Sequence, residues 1–223
     1  MCKKLIIEAL VKFISGVLLV GLLIFIPAGT IHFVNGWKLM GVLFIPMFIA
    51  GVIMLKKAPD LLQSRLEARE KESAQKVVIA LSGLMFLAGF ISAGLDFRFG
   101  GPTLPSWIGL CSMIIFLISY GLFGEVMREN AYLSRTIQVQ EGQTVVDTGM
   151  YAIVRHPMYL VSIFLFLSIP LILGSIWSFL IFLMHPFLMA ARILHEEKIL
   201  SLELNGYEEY KKKVRYRLIP FIW

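Results

Sequence analysis

Residues 12–34 read KFISGVLLVGLLIFIPAGTIHFV. After Lys12 this stretch carries no Lys, Arg, Asp or Glu. Its length meets the roughly 17–25 residues that an α-helix needs to cross the hydrocarbon of a bilayer. Five further apolar segments follow, at residues 37–55, 77–95, 105–127, 158–173 and 175–192. The first four of the six are long enough to span. The last two are shorter and meet at Leu173-Gly174-Ser175, which predicts a tight helical hairpin with Pro170 and Pro186 as kink positions. A buried hairpin that stops short of spanning is the alternative reading of those lengths. The segments are continuous rather than alternating, so helices are favoured over a membrane barrel. The predicted fold is an all-α integral membrane protein with about six transmembrane helices.

Composition points the same way. Of 223 residues, 58% are apolar and 16% charged, against about 25% charged in ordinary soluble domains. That excludes a disordered chain. Two cysteines, Cys2 and Cys111, exclude a disulfide scaffold. The first span is too long for the apolar core of a cleavable signal peptide and is followed by further spans.

The charges orient the spans. With the N-terminus in the cytoplasm, 19 of the 21 Lys and Arg residues fall on the cytoplasmic side, leaving Lys38 and Arg98 outside. Positive charge accumulates on that side of membrane proteins, so both termini are expected in the cytoplasm. The net charge of +6 then reflects orientation and attraction to anionic lipid headgroups, with no need of nucleic acid.

Three long polar stretches fall on that side. Lys56–Lys76 mixes Glu with Lys and Arg at helical spacing, including the pairs Glu67/Lys71 and Glu72/Lys76, and reads as a solvated helix. Arg128–Arg155 holds turn signals at Glu141-Gly142 and Asp147-Thr148-Gly149, with Val139, Val145 and Val146 around the first, suggesting an irregular turn or small hairpin. It runs into Tyr151-Ala-Ile-Val-Arg-His-Pro-Met-Tyr159. Pro157 suits the first turn of a helix, and a helix start can bind an anion. In the third stretch, Arg192-Ile-Leu-His-Glu-Glu197 extends the last span, with Arg192 and Glu196 on one helical face. Asn205-Gly206 breaks it, and a short charged helix and Arg217-Leu-Ile-Pro-Phe-Ile-Trp223 close the chain. The terminal aromatics suit a bilayer interface.

Taken singly, each polar residue here has a structural explanation: an interfacial Tyr, a solvated His, a wet Glu pair. Taken together they converge. A hairpin returns the chain to the side it left, so the Arg-His-Pro-x-Tyr helix start and the Arg-x-x-x-Glu-Glu segment meet at one membrane face, with the Gln143–Val146 loop just upstream of the first. This pattern resembles the isoprenylcysteine carboxyl methyltransferase family and its phospholipid N-methyltransferase-like relatives. The resemblance runs from about Asn130 to Trp223. It rests on Gln143-Thr-Val-Val-Asp-Thr-Gly149, Tyr151–Tyr159, Gly174-Ser175, Arg192–Leu200 and Gly206-Tyr-Glu-Glu-Tyr210.

The apolar segments place four spans in residues 1–127, and the resemblance implies a methyltransferase region in residues 128–223. It implies S-adenosylmethionine as cofactor, in a cytoplasmic pocket. The implied cofactor contacts are Gln143, Thr144, Val145 and Val146 in the loop, then Tyr151, then His156, Pro157, Met158 and Tyr159, and finally Glu196. Eukaryotic members carry histidine at the place of Gln143. Arg192 falls where the family contacts substrate, and the C-terminal ending is similar to the bacterial branch, implying the inner membrane. The acceptor is expected to be a lipophilic or lipidated molecule arriving from the membrane lipids. A carboxylate acceptor needs no base but needs a cation to hold it, for which Arg192 is the candidate. An amine acceptor would need a carboxylate such as Glu197 or Glu196 to take its proton. No metal is expected. Two other readings compete: a membrane reductase of the sterol-reductase type using a nicotinamide cofactor, and a small transporter. The central parts of the spans are nearly free of ionisable residues, which disfavours the transporter.

Overall fold

A backbone surrounded by hydrocarbon must satisfy its own hydrogen bonds, and every apolar segment of the chain is helical in the computed structural model. The structure describes residues 2–66, 73–130, 132–133 and 139–223. In chain order the helices are α1 (Cys2–Ala28), α2 (Val34–Lys57), α3 (Pro59–Leu66), α4 (Ser73–Phe99), α5 (Ser106–Glu129), α6 (Pro157–Leu173), α7 (Ile176–Phe182), α8 (Met184–Glu203) and α9 (Tyr207–Lys213). A single 3-10 turn, Gly149–Ala152, precedes α6. Among the described residues there is no extended strand, only an isolated bridge between Thr103 and Ser175.

Five stretches are long and apolar enough to cross a membrane: α1, α2, α4, α5 and the α7–α8 pair, which together run from Ile176 to Glu203. The sequence predicted two short final segments. Only α6, at 17 residues, is short, because helix continues past Arg192 to Glu203. The polar side chains that closed the apolar window did not close the helix. The expected kink at Pro186 is a break at Leu183 between α7 and α8. Pro186 donates no N–H, and its ring crowds the carbonyl four residues earlier.

Helix α6 is the centre of the bundle, packed by α2, α4, α5, α7 and α8. Val161, Leu165, Ile169 and Ile172 are buried along it. By contrast α1 leaves Leu18, Leu19, Leu22 and Ile26 more than half exposed, a surface suited to lipid rather than water. The core between helices holds Ile24, Leu39, Phe116, Phe182 and Ile193 at zero exposure. The Phe182 ring meets Phe86 edge-on at 5.3 Å, and Phe86 meets Phe166 at 5.0 Å, the geometry that aromatic quadrupoles favour.

The hairpin at Leu173-Gly174-Ser175 forms as the sequence predicted. Gly174 takes φ 78°, a left-handed conformation closing α6. Ser175 then caps α7 by accepting from the Ser178 N–H. Ser175 also donates its hydroxyl to Asp96, tying this end of the bundle to α4. The up-and-down order carries the chain back to the opposite end, where α2 and α5 finish, α4 and α6 start, and the C-terminal tail lies.

Of the charged connector, α3 covers the first part. Leu62 is buried and the Arg65 guanidinium sits over the Phe123 ring at 5.7 Å, so this part packs on the bundle as well as meeting water. The pairs Glu67/Lys71 and Glu72/Lys76 involve residues outside the described ones.

Candidate functional site

The loop before α6 is a turn rather than a hairpin. Gly142 takes φ 72°, and the Gln143 N–H donates to the Gln140 carbonyl at 3.0 Å. Gln138 lies outside the described residues. The loop is pinned on both sides. Tyr132 donates its hydroxyl to the Gly142 carbonyl at 3.1 Å, and Lys213 pairs with Asp147 at 2.6 Å. Lys213 holds the exposed Asp147 carboxyl below its ordinary range by hydrogen bonding and charge. Val139 and Val145 pack on a small apolar cluster of Leu204, Tyr207, Tyr210 and Val214. The Gln143 side chain turns back on its own loop, accepting from the Gln140 N–H at 2.9 Å.

A cleft opens between this loop, the start of α6, the last turns of α8 and α9. It encloses about 810 Å³ of non-atom space, part of it open to solvent. The loop contributes Gln143, Thr144, Val145 and Val146 to its lining. Tyr151, His156, Met158 and Tyr159 come from the 3-10 turn and the start of α6, and Arg192 and Glu196 from α8. Ten of the eleven side chains that the sequence placed at a cofactor site or on the Arg192–Glu196 face therefore share one cleft. Pro157 is the exception. It occupies the first turn of α6 as predicted, but its ring faces a separate apolar groove with Leu160, Val161 and Phe164, because consecutive helical residues point about 100° apart.

Arg192 and Glu196 meet through Tyr159. The Tyr159 hydroxyl donates to the Glu196 carboxylate, and the Arg192 Nε donates to the Tyr159 Oη at 3.0 Å. The guanidinium also lies over the tyrosine ring at 6.0 Å. Charge-assisted bonds of this kind are the stronger ones, so the three side chains form one ordered wall.

Glu197 lies outside the cleft lining, contrary to its sequence-based role as a proton acceptor. Its side chain is 7% exposed. Its Oε1 accepts from the Arg155 Nε at 2.7 Å and faces the His156 Nε2 at 3.3 Å, while its Oε2 accepts from the Arg217 Nε at 2.7 Å. One residue earlier in the helix the side chain reaches the cleft, and one residue later it points into this ion cluster. The carboxylate requires the His156 Nε2 to carry its hydrogen, which selects that tautomer.

The C-terminal tail is the other half of this cluster. Arg155 donates from Nη1 to the Val214 and Arg215 carbonyls at 2.7 and 2.8 Å. The backbone N–H groups of Arg155 and His156 bond to the Tyr216 and Arg217 carbonyls, each at 2.9 Å, and the Tyr159 N–H to the His156 carbonyl. The sequence predicted an anion-binding helix start here. The Tyr159 N–H is engaged within the helix start itself, and the Arg155 and His156 donors are engaged by a strap that the apolar pattern gave no reason to place there.

Several lining residues were given no role by the sequence reading. Asn130, Tyr132 and Leu133 enter from the end of α5, and Leu200, Leu204, Tyr207 and Tyr210 from α8 and α9. The spacing of Tyr207 and Tyr210 was a usable signal, since i,i+3 residues share a helix face. Tyr210 donates its hydroxyl to the Tyr151 carbonyl at 2.8 Å, joining α9 to the 3-10 turn. Burial pushes the Tyr151, Tyr207 and Tyr210 phenols above their ordinary range, so all three remain hydroxyl donors.

This whole arrangement, apart from α9 and the strap, lies between the start of α5 and the end of α8. Residues 106–204 match the family model of the phospholipid methyltransferases. The match agrees with the phospholipid N-methyltransferase-like superfamily that the motifs resemble. The matched region is preceded by the apolar helices α1, α2 and α4. No curated protein matches the chain. Among the described residues no group of metal-ligating side chains comes together.

Proposed function

We propose that the protein is an integral membrane methyltransferase that uses S-adenosylmethionine and acts on a lipophilic acceptor. The observation that carries this reading is the convergence of the loop 143–146, His156, Tyr159, Arg192 and Glu196 on one cleft at the end of a lipid-facing bundle. The cleft suits such a cofactor. Glu196 is the carboxylate for an amine or a ribose diol, Tyr151 and Tyr159 offer ring faces to a sulfonium, and Val145, Leu200 and Leu204 are apolar walls for a purine. When bound, the cofactor supplies an activated methyl group. The chain's contribution is to position the two reactants in line and to keep water out.

The acceptor is more consistent with a carboxylate than with an amine. An amine must lose a proton, and neither nearby carboxylate is assigned to take it: Glu196, bonded by Tyr159, is given to the cofactor, and Glu197 is engaged by Arg155, His156 and Arg217. A carboxylate needs no base. Arg192, on the cleft wall and about one turn of α8 nearer the bilayer than Glu196, supplies the cation to hold it. The 19-to-2 distribution of Lys and Arg supports a cleft on the cytoplasmic side, with both termini there. The relation to the isoprenylcysteine carboxyl methyltransferases, and to their bacterial inner-membrane branch, is part of the same proposal. The test is incorporation of labelled methyl from S-adenosylmethionine into a lipid extract by the detergent-purified chain. Base-labile product, as expected of a methyl ester, supports the carboxylate reading. Base-stable product refutes it in favour of an amine, and no incorporation counts against the activity.

A further inference from the structure

Tyr207, like Tyr151, is a residue of the cleft whose hydroxyl finds no partner among the described residues, and Tyr207 is the one set against the apolar wall of α8 and α9. The residue is 4% exposed, and its Oη is buried with no hydrogen-bond partner among the described residues. Buried polar atoms are nearly always paired, and an exception calls for a cause. Tyr210, three residues on, is satisfied by the Tyr151 carbonyl. The charged groups whose fields reach Tyr207 are Glu196, Glu197 and Arg155. Glu196 accepts from Tyr159, Glu197 is held by Arg155, His156 and Arg217, and Arg155 is a donor with no acceptor to offer. Burial keeps the phenol protonated, so the hydroxyl is a donor in need of an acceptor.

We propose that the Tyr207 hydroxyl is a ligand-binding donor of the cleft that recognises an uncharged acceptor atom, a purine ring nitrogen or a ribose oxygen, on the nucleoside half of S-adenosylmethionine. This rests on the function proposed above. The choice of the nucleoside half follows from the surroundings. Two carboxylates beside Tyr207 disfavour an anion such as the cofactor's own carboxylate, whereas the adjoining wall of Leu204, Val145 and the Tyr210 ring is apolar and aromatic and suits a flat neutral heterocycle. Val139 and Val145 pack on the same cluster, so a ligand reaching this hydroxyl does so by shifting the loop 143–146 away from α9.

The test compares detergent-purified wild type with Tyr207→Phe, which removes the hydroxyl and keeps the ring. Two quantities are measured: melting temperature without ligand, and calorimetric affinity for S-adenosylhomocysteine and for adenosine. The expected result is a loss of affinity of about 2- to 12-fold, the span of one hydrogen bond, by the same factor for both ligands, with a ligand-free melting temperature equal to or above wild type. Unchanged affinity overturns the proposal. So does a loss confined to S-adenosylhomocysteine, which would place the contact on the amino-acid half. A lowered ligand-free melting temperature also overturns it, because the hydroxyl would then have a partner in the chain. If wild type binds neither ligand, the methyltransferase reading itself fails, an outcome distinct from a wild type that binds both while Tyr207→Phe is indifferent.

Discussion

Glu197→Gln separates a structural anion from a catalytic one. The substitution keeps size and one carbonyl acceptor but removes the charge that pairs with Arg155 and Arg217. Arg155 has a side chain 6% exposed, so its guanidinium is left buried with carbonyl partners only. Removing one partner of a buried ion pair costs about 3–5 kcal/mol. Arg217 is a third exposed and recovers its loss in water, and the Gln carbonyl retains one hydrogen bond. About 3 kcal/mol is therefore the reasonable expectation. For a chain of this length each kcal/mol moves the melting temperature by roughly 2–4 °C, which gives a drop of about 6–12 °C in detergent. Glu196→Gln, on the cleft, should melt within a degree or two of wild type and lose ligand affinity instead. The assay is thermal unfolding of both variants alongside titration with S-adenosylhomocysteine. If Glu197→Gln melts like wild type and loses turnover alone, the ion-cluster assignment is wrong and Glu197 is a base.

Three further outcomes follow. Arg192→Lys should bind S-adenosylhomocysteine nearly normally yet lose most methyl transfer, because lysine lacks the planar fork that holds a carboxylate; near wild-type turnover would remove the carboxylate-clamp role. Gly149→Ala should lower both melting temperature and ligand affinity, since Gly149 has φ 53° and an added Cβ would collide with the Glu129 carboxylate that accepts from the Met150 N–H; unchanged values for both would show that this turn does not set the cleft. Reporter fusions after Trp223 and at Arg98 should fall on opposite sides of the membrane, with Trp223 in the cytoplasm; a shared location would contradict the span order.

The helices were legible because hydrocarbon leaves the backbone few alternatives, and the hairpin because Gly174 and Ser175 are a stop and a start side by side. Helix ends were less so. The apolar window of the first segment begins at Lys12, but α1 begins at Cys2, since Glu8 and Lys12 pair across a turn at 2.7 Å and charge alone does not end a helix. The cleft was legible where motif and periodicity agreed, as for Arg192 with Glu196. The strap was not. Its partners are backbone carbonyls at 214–217, and any sequence could supply those. Glu196 and Glu197 are identical letters side by side, and only the packing of α8 assigns one to the cleft and the other to the ion cluster.

The most direct measurement is calorimetric titration of the purified wild-type chain and of Glu196→Gln with S-adenosylhomocysteine. The account predicts saturable one-to-one binding to wild type and a loss of about tenfold or more in Glu196→Gln, the scale of a hydrogen bond to a charged group. Equal affinity in the two proteins would place the cofactor outside this cleft, and no binding to wild type would contradict the central claim.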